Sequence, residues 1–275
     1  MLMNKQNIIT PFGTCRIHRP FEKNINGVAN SNIGHDTCLN YPKVGFYHSL
    51  AEITQVLTFF KKGFQEDHLF YKEYLFRKEP IHTTPNNIFN DDLWINNSVL
   101  PSEGFNDIDG TTILIEVSSI DSFYHPHSGL YFQRNPNKEI DVPYSDLRDK
   151  SFYDLYKPEL GVIKTKASEK DIINDLNIIR EMYPSSPIII MGHINDHFSQ
   201  YSARRNLNSI LYKCCSMVTG VYYYDNKLVF EEHGYAINKN GTTDINHLSD
   251  NAEIALGKEL QKISKILKEY SECNF

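Results

Sequence analysis

Thr111-Thr112-Ile113-Leu114-Ile115-Glu116-Val117-Ser118-Ser119 is the clearest strand signal in the chain. Between Ile113 and Val117 four of five positions are apolar, and β-branched side chains dominate. Apolar residues at consecutive rather than alternate positions mark a strand covered on both faces, the habit of parallel sheets. Pro187-Ile188-Ile189-Ile190-Met191-Gly192 repeats the pattern. A shorter apolar run at residues 6–10 reads as a first strand, and Val- and Tyr-rich stretches at 218–224 and 228–237 read as two more.

Helical signals lie between these strands. Ser49 stands three residues before Glu52, the spacing of a capping box, in which each side chain satisfies a free backbone donor at a helix start. Leu50, Ile53, Leu57 and Phe60 then make an apolar stripe, and Gly63 is a stop signal. Ser168 and Asp171 form an acidic variant of the box, followed by Ile172, Leu176, Ile179 and Tyr183 on one face, and Pro184 ends the helix. A helix at about 199–216 turns Leu207, Ile210 or Leu211, and Cys214 inward. A last helix buries Leu256, Leu260, Ile263 and Leu267 and exposes Lys258, Lys262 and Lys265. This order of elements predicts an α/β sandwich around a mainly parallel sheet, in one domain spanning 1–275. Residues 22–42 read as loop, and 64–110 and 121–160 as irregular insertions.

Composition sets the bounds. The chain has 275 residues, 40% apolar and 23% charged, ample for a sizeable core. A net charge of −6 without a basic run argues against a nucleic-acid partner. No apolar run approaches the roughly 20 residues that cross a bilayer, and Met1–Gln6 lacks the pattern of a secretory leader, so the expected location is cytoplasmic. The five cysteines have no framework spacing and read as free thiols.

In parallel sheets ligands sit at the carboxyl ends of the strands. Cys15, Ser118–Ser119, Gly192–Asn195 and Asp244–His247 all follow predicted strands and are expected along one sheet edge. Cys15 lies in Phe12-Gly13-Thr14-Cys15-Arg16-Ile17-His18-Arg19-Pro20. A cysteine reacts as thiolate, and the basic neighbours Arg16, His18 and Arg19 lower a thiol pKa from its free value of about 8.5. His247 is the best candidate base, and Asp244, three residues upstream, is placed to hold its Nδ1 proton. His125, His127, His193 and His197 read as solvated loop histidines; His193 and His197 have metal-ligand spacing but lack the glutamate of a zinc-protease helix, so no metal is assigned. No phosphate-binding glycine loop is present.

Gly13-Thr14-Cys15, the segment Pro42-Lys43-Val44-Gly45-Phe46-Tyr47-His48-Ser49-Leu50, and Asp244-x-x-His247 before the last helix resemble the blocks of the SGNH (GDSL-like) hydrolase superfamily. They come nearest its GSCFA branch and capsule-biosynthesis relatives, which carry Gly-x-Cys where others have Gly-Asp-Ser. The resemblance implies a three-layer α/β sandwich and a Cys15–His247–Asp244 triad. It implies an oxyanion site with Gly45 as second-block donor. The third-block asparagine is missing, and Ser118 stands where it is expected, while Gly192-His193-Ile194-Asn195 falls one strand late. Arg16 and His48, beside the first two blocks, are assigned to substrate binding. The implied activity is acyl-ester hydrolysis or O-acyl transfer on a surface polysaccharide or its precursor. It needs no bound cofactor, and acyl-CoA is a candidate donor. The competing reading is a non-catalytic glycan- or acyl-CoA-binding protein that retains the fold.

Overall fold

The computed structural model describes residues 9–22, 24–25, 28–29, 47–62, 108–126, 128–132, 163–194 and 202–273. The chain is mixed α/β. Its main sheet takes β1 (Ile9–Phe12), β4 (Thr112–Glu116), β8 (Ile188–Met191) and β9 (Val221–Tyr224) in the order β1-β4-β8-β9, every pair parallel. The run that reads as a doubly covered strand is interior to the sheet, and all five of its residues are buried.

Side chains alternate across a strand, and here they divide between two apolar clusters. Ile113 and Ile115 of β4, with Ile188 and Ile190 of β8, pack with α2 (Leu50–Lys62), α3 (Glu169–Met182) and α4 (Ser202–Cys215) through Ile53, Leu176 and Leu211. Leu114, Ile189 and Met191 pack instead with α1 (Cys15–Glu22), α5 (Lys227–His233) and α6 (Asp250–Cys273) through Ile17, Phe230 and Leu256. Both faces of the sheet are therefore dry, which is why its strands carry no polar alternation.

The Ser168–Asp171 capping box forms in full, and at Ser49 the helix-start bond forms while the Glu52 carboxylate accepts from His48 N. Glu52 N donates to Ser49 Oγ at 3.3 Å, and Ser168 Oγ accepts from Asp171 N while the Asp171 side chain accepts from Ser168 N. Leu50, Ile53 and Leu57 are buried on α2, as are Ile172, Leu176 and Ile179 on α3. On α6 Leu256 and Leu260 are buried and Ile263 and Leu267 pack against the same cluster. Cys214 and Cys215 are free thiols inside the α4 packing, and burial pushes the Cys215 thiol up to about 12. Phe60's side chain and Gly63 lie outside the described residues. Among the described residues no helix is long and apolar enough to cross a membrane.

Three expectations change. The 22–42 stretch, read as loop, contains the short antiparallel ladder of β2 (Asn24–Ile25) and β3 (Val28–Ala29). The 121–160 stretch contains β5 (Asp121–His125) and β6 (Leu130–Phe132), which join β7 (Ile163–Lys166) in an antiparallel sheet ordered β6-β5-β7. Residues 163–166 carry one apolar side chain, the exposed Ile163, because this strand is held by backbone pairing at an edge and not by a core. The Gln55 side chain ties this sheet to α2 by bonding both the N–H and the C=O of Tyr131. Finally, 228–233 is helix and not strand. Its β-forming residues Val229 and Phe230 are adjacent on a short helix that buries both against α6, and Gly234 at φ 79° stops it. Burial outweighs strand propensity here. Only the remainder of that stretch, β10 (Tyr235–Ile237), is extended, paired with β11 (Thr243–Leu248).

The β1–α1 turn depends on a close approach. Gly13 has φ +151°, and a Cβ there would lie 2.7 Å from Glu116 Cβ and 3.1 Å from Glu116 O. Gly13→Ala is therefore expected to lower unfolding free energy by about 2–4 kcal/mol from backbone strain plus overpacking, read as a shift of the urea midpoint at unchanged m-value.

Candidate active site

The sheet's carboxyl edge is built around a buried carboxylate. Glu116, the last residue of β4, is fully buried. It accepts from Thr14 N at 3.0 Å, from Thr14 Oγ1, and from Arg16 Nε, which also pairs with it as an ion. Burial pushes its pKa up, but the charge of Arg16 and the hydrogen bonds of Thr14 and Arg16 outweigh that, so the carboxyl lies below its ordinary value. These contacts fix the first turn of α1, where Ile17 N already donates to Thr14 O at 3.1 Å. Cys15 is the first residue of that helix. Its side chain lies outside the described residues, as does Gly45.

The chain after Gly45 runs along this edge. Tyr47 N donates to Gly13 O at 3.1 Å, and His48 O accepts from both Ser118 N and Ser119 N at 2.8 Å. His48 N donates to Glu52 Oε2 at 3.0 Å. Tyr47 and His48, the described part of that segment's middle, are thus clamped between the exits of β1 and β4. Ser118 N–H is committed to His48 O, so its backbone donor is not available to a substrate, and its hydroxyl lies 3.5 Å from the same carbonyl.

Asp244 and His247 meet on an irregular part of β11, before α6. Tyr235 of β10 pairs with Leu248, but the next residue, Ala236, pairs with Asp244. Ile245, Asn246 and His247 therefore bulge out of β11. Asp244 Oδ1 accepts from Asn246 N at 3.0 Å and Oδ2 faces His247 Nδ1 at 2.8 Å. A carboxylate can only accept, so Nδ1 carries a proton, and Nε2 is the ring nitrogen left to face a reacting group. Burial alone would raise the Asp244 pKa; the Asn246 and His247 hydrogen bonds and the charges of His247 and Arg19 overcome it and hold it low.

Two arginines lock this bulge to the helices. Arg16 Nη1 donates to Asn246 O at 3.4 Å, and Arg204 Nη2 on α4 donates to Asn246 Oδ1 at 3.1 Å. Arg16, next to Cys15, thus touches the residue next to His247. Arg16 itself is buried and its charge is met by Glu116, which makes it a tie between elements rather than an exposed charge.

His193, after β8, is 4% exposed and so is not the solvated loop histidine its sequence context suggests. Burial first, then the charges of Arg16 and Arg204 with the neighbouring His48 and His247 rings, drive its pKa far below the usual imidazole range. His125 is likewise buried and bonds Ser128 within the β5–β6 turn. His127 and His197 lie outside the described residues.

The sequence reading missed Glu116 as the organiser, although a lone carboxylate inside an apolar strand was its visible signal. No family model matches the sequence, and no curated protein matches it either.

Removing one partner of a buried ion pair strands the other charge. Arg16→Met is expected to cost about 3–5 kcal/mol in urea unfolding at pH 7, and Arg16→Met with Glu116→Gln to recover part of that. A second test uses pH. Burial raises the Glu52 carboxyl to about 7, against the hydrogen bonds from His48 and Ser49 that lower it. Its folded pKa exceeds the unfolded value, so its contribution is full below about 4.5 and is lost as pH rises through about 7. Wild-type stability should fall by up to about 3 kcal/mol between pH 5 and 8 relative to Glu52→Gln, measured by urea melts across that range.

Proposed function

We propose that this chain is an SGNH-like acyl-ester hydrolase or O-acyltransferase with a cysteine nucleophile. The observation that carries the reading is the Asp244–His247 pair at 2.8 Å, on a bulge tied by Arg16 to the helix that Cys15 opens. The two apolar clusters on opposite faces of the parallel sheet support a three-layer sandwich of the SGNH kind.

In this reading His247 Nε2 takes the Cys15 proton, and the thiolate attacks the carbonyl carbon of an acyl ester or thioester, a C–S bond forming as the carbonyl π pair moves to oxygen. Gly45 N–H, with the Cys15 N–H at the start of α1, stabilises that oxyanion. Protonated His247, held by Asp244, gives its Nε2 proton to the leaving oxygen or sulfur as the bond to it breaks. The acyl group is then a thioester on Cys15. His247 next takes a proton from water or from a sugar hydroxyl, whose oxygen attacks the thioester carbonyl and releases the Cys15 thiolate, to which His247 returns the proton. Water as acceptor gives hydrolysis, and a sugar hydroxyl gives transfer. Acyl-CoA is a fitting donor because its thioester matches the intermediate in energy. A surface polysaccharide or its precursor is the proposed acceptor, in the cytoplasm, with His48 and the hydroxyl of Ser118 at the substrate.

Iodoacetamide should label Cys15 fastest of the five cysteines, followed by peptide mass mapping, and labelling should abolish turnover of p-nitrophenyl acetate. His247→Ala should lower that turnover by about 10³-fold or more with an unchanged circular dichroism spectrum. Equal labelling of all cysteines in the folded protein, or full activity of Cys15→Ala, would sink the triad and leave a binding role.

A further inference from the structure

The carboxyl edge contains a polar group that the triad does not use. His193 sits on a strand end with little freedom. Its carbonyl accepts from Asn208 Nδ2 at 3.0 Å, and the carbonyl of Gly192 accepts from Asn226 Nδ2 at 3.4 Å. Asn208 and Asn226 are both buried. A Cβ on Gly192 would fall 1.9 Å from Asn208 Oδ1, so only glycine lets the strand end lie this close to α4. Ile194, the next residue, is fully buried and anchors the other side.

His193 Nδ1 is enclosed and has no hydrogen-bond partner. A buried N–H without an acceptor is rarer in folded proteins than a buried acceptor without a donor. The ring's single proton therefore belongs on Nε2. The charged and titratable groups around the ring are Arg16 on α1 with its partner Glu116 on β4, His48 before α2, Arg204 on α4, and His247 with Asp244 on β11. Burial, with the Arg16 and Arg204 guanidiniums nearby, disfavours the charged form of the ring, and an uncharged imidazole can donate to a carbonyl from the nitrogen that holds its proton.

Resting on the triad reading, we propose that His193 is a further catalytic residue, donating from Nε2 to the substrate's carbonyl oxygen and to the oxyanion that forms there. It would supply, from the next strand over, the donor that the third block lacks and that Ser118 N–H, bound to His48 O, does not provide. No bond to His193 forms or breaks in the step, and its proton stays on Nε2 throughout.

Two measurements test this. Long-range ¹H–¹⁵N spectra of the wild-type protein, with His193 assigned by its loss in His193→Gln, should show an Nε2–H tautomer from pH 5.5 to 8.5. A His193 signal that titrates within that range, or an Nδ1–H tautomer, overturns the proposal whether or not any variant folds. In single-turnover acylation by p-nitrophenyl acetate, His193→Leu should lose about 10²–10³-fold in rate with KM little changed. His193→Gln, which keeps a donor, should recover at least tenfold of that loss. The iodoacetamide labelling rate of Cys15 should stay within about threefold of wild type in both. Equal losses in the two variants, or a loss confined to KM, also overturn it. Failure of the triad itself is distinguished by Cys15→Ala, which would then retain turnover while the His193 spectra stood unchanged.

Discussion

The structure depends first on one buried carboxylate. Glu116 is the only charged residue in a strand otherwise built of aliphatic and hydroxyl side chains, and it ends that strand in the middle of the sheet. A carboxylate cannot remain ionised there without compensation. Thr14 and Arg16 supply it, and in doing so they set where β1 stops, where α1 starts and which way its first turn faces. Gly13 is required by the same contact, because no side chain fits between the turn and Glu116. A charge in the core thus becomes a positional constraint on Cys15.

Arg16 extends that constraint across the molecule. Its Nε meets Glu116 and its Nη1 meets Asn246, so one guanidinium links the central strand, the first helix and the β11 bulge. Arg's planar fork suits such bridging, where a lysine ammonium would satisfy one direction at a time. The bulge exists because Asp244 turns back on its own backbone through Asn246 N and still has a second oxygen for His247. The carboxyl edge is consequently assembled from segments more than two hundred residues apart, each pinned by specific hydrogen bonds rather than by loop length.

Much of the fold was legible because its signals are local. Ile113–Val117 and Ile188–Met191 announce doubly covered strands, and Ser49–Glu52 and Ser168–Asp171 announce helix starts, through chemistry confined to four or five neighbours. The stretches that resisted lack such signals. Ile163–Lys166 is exposed and becomes a strand only because β5 offers it a backbone edge. Val229 and Phe230 look extended until α6 gives them a common face to bury. His193 looks like a solvated loop histidine because nothing in Gly192-His193-Ile194 reveals that Asn208 and Asn226 will fold over it.

By itself, then, the sequence determined the parallel α/β core, the capped helices and the identity of the residues able to pair as acid and base, since periodicity and side-chain chemistry are properties of short segments. Only the tertiary structure decided that Asp244 and His247 share a bulge, that Ser118 N–H is taken by His48 O, that the charge of Arg16 is met inside the protein by Glu116, and that His193 is buried. Each of these depends on contacts between residues distant in the chain, and the burial that sets hydrogen-bond commitment and protonation has no counterpart in a local window of sequence.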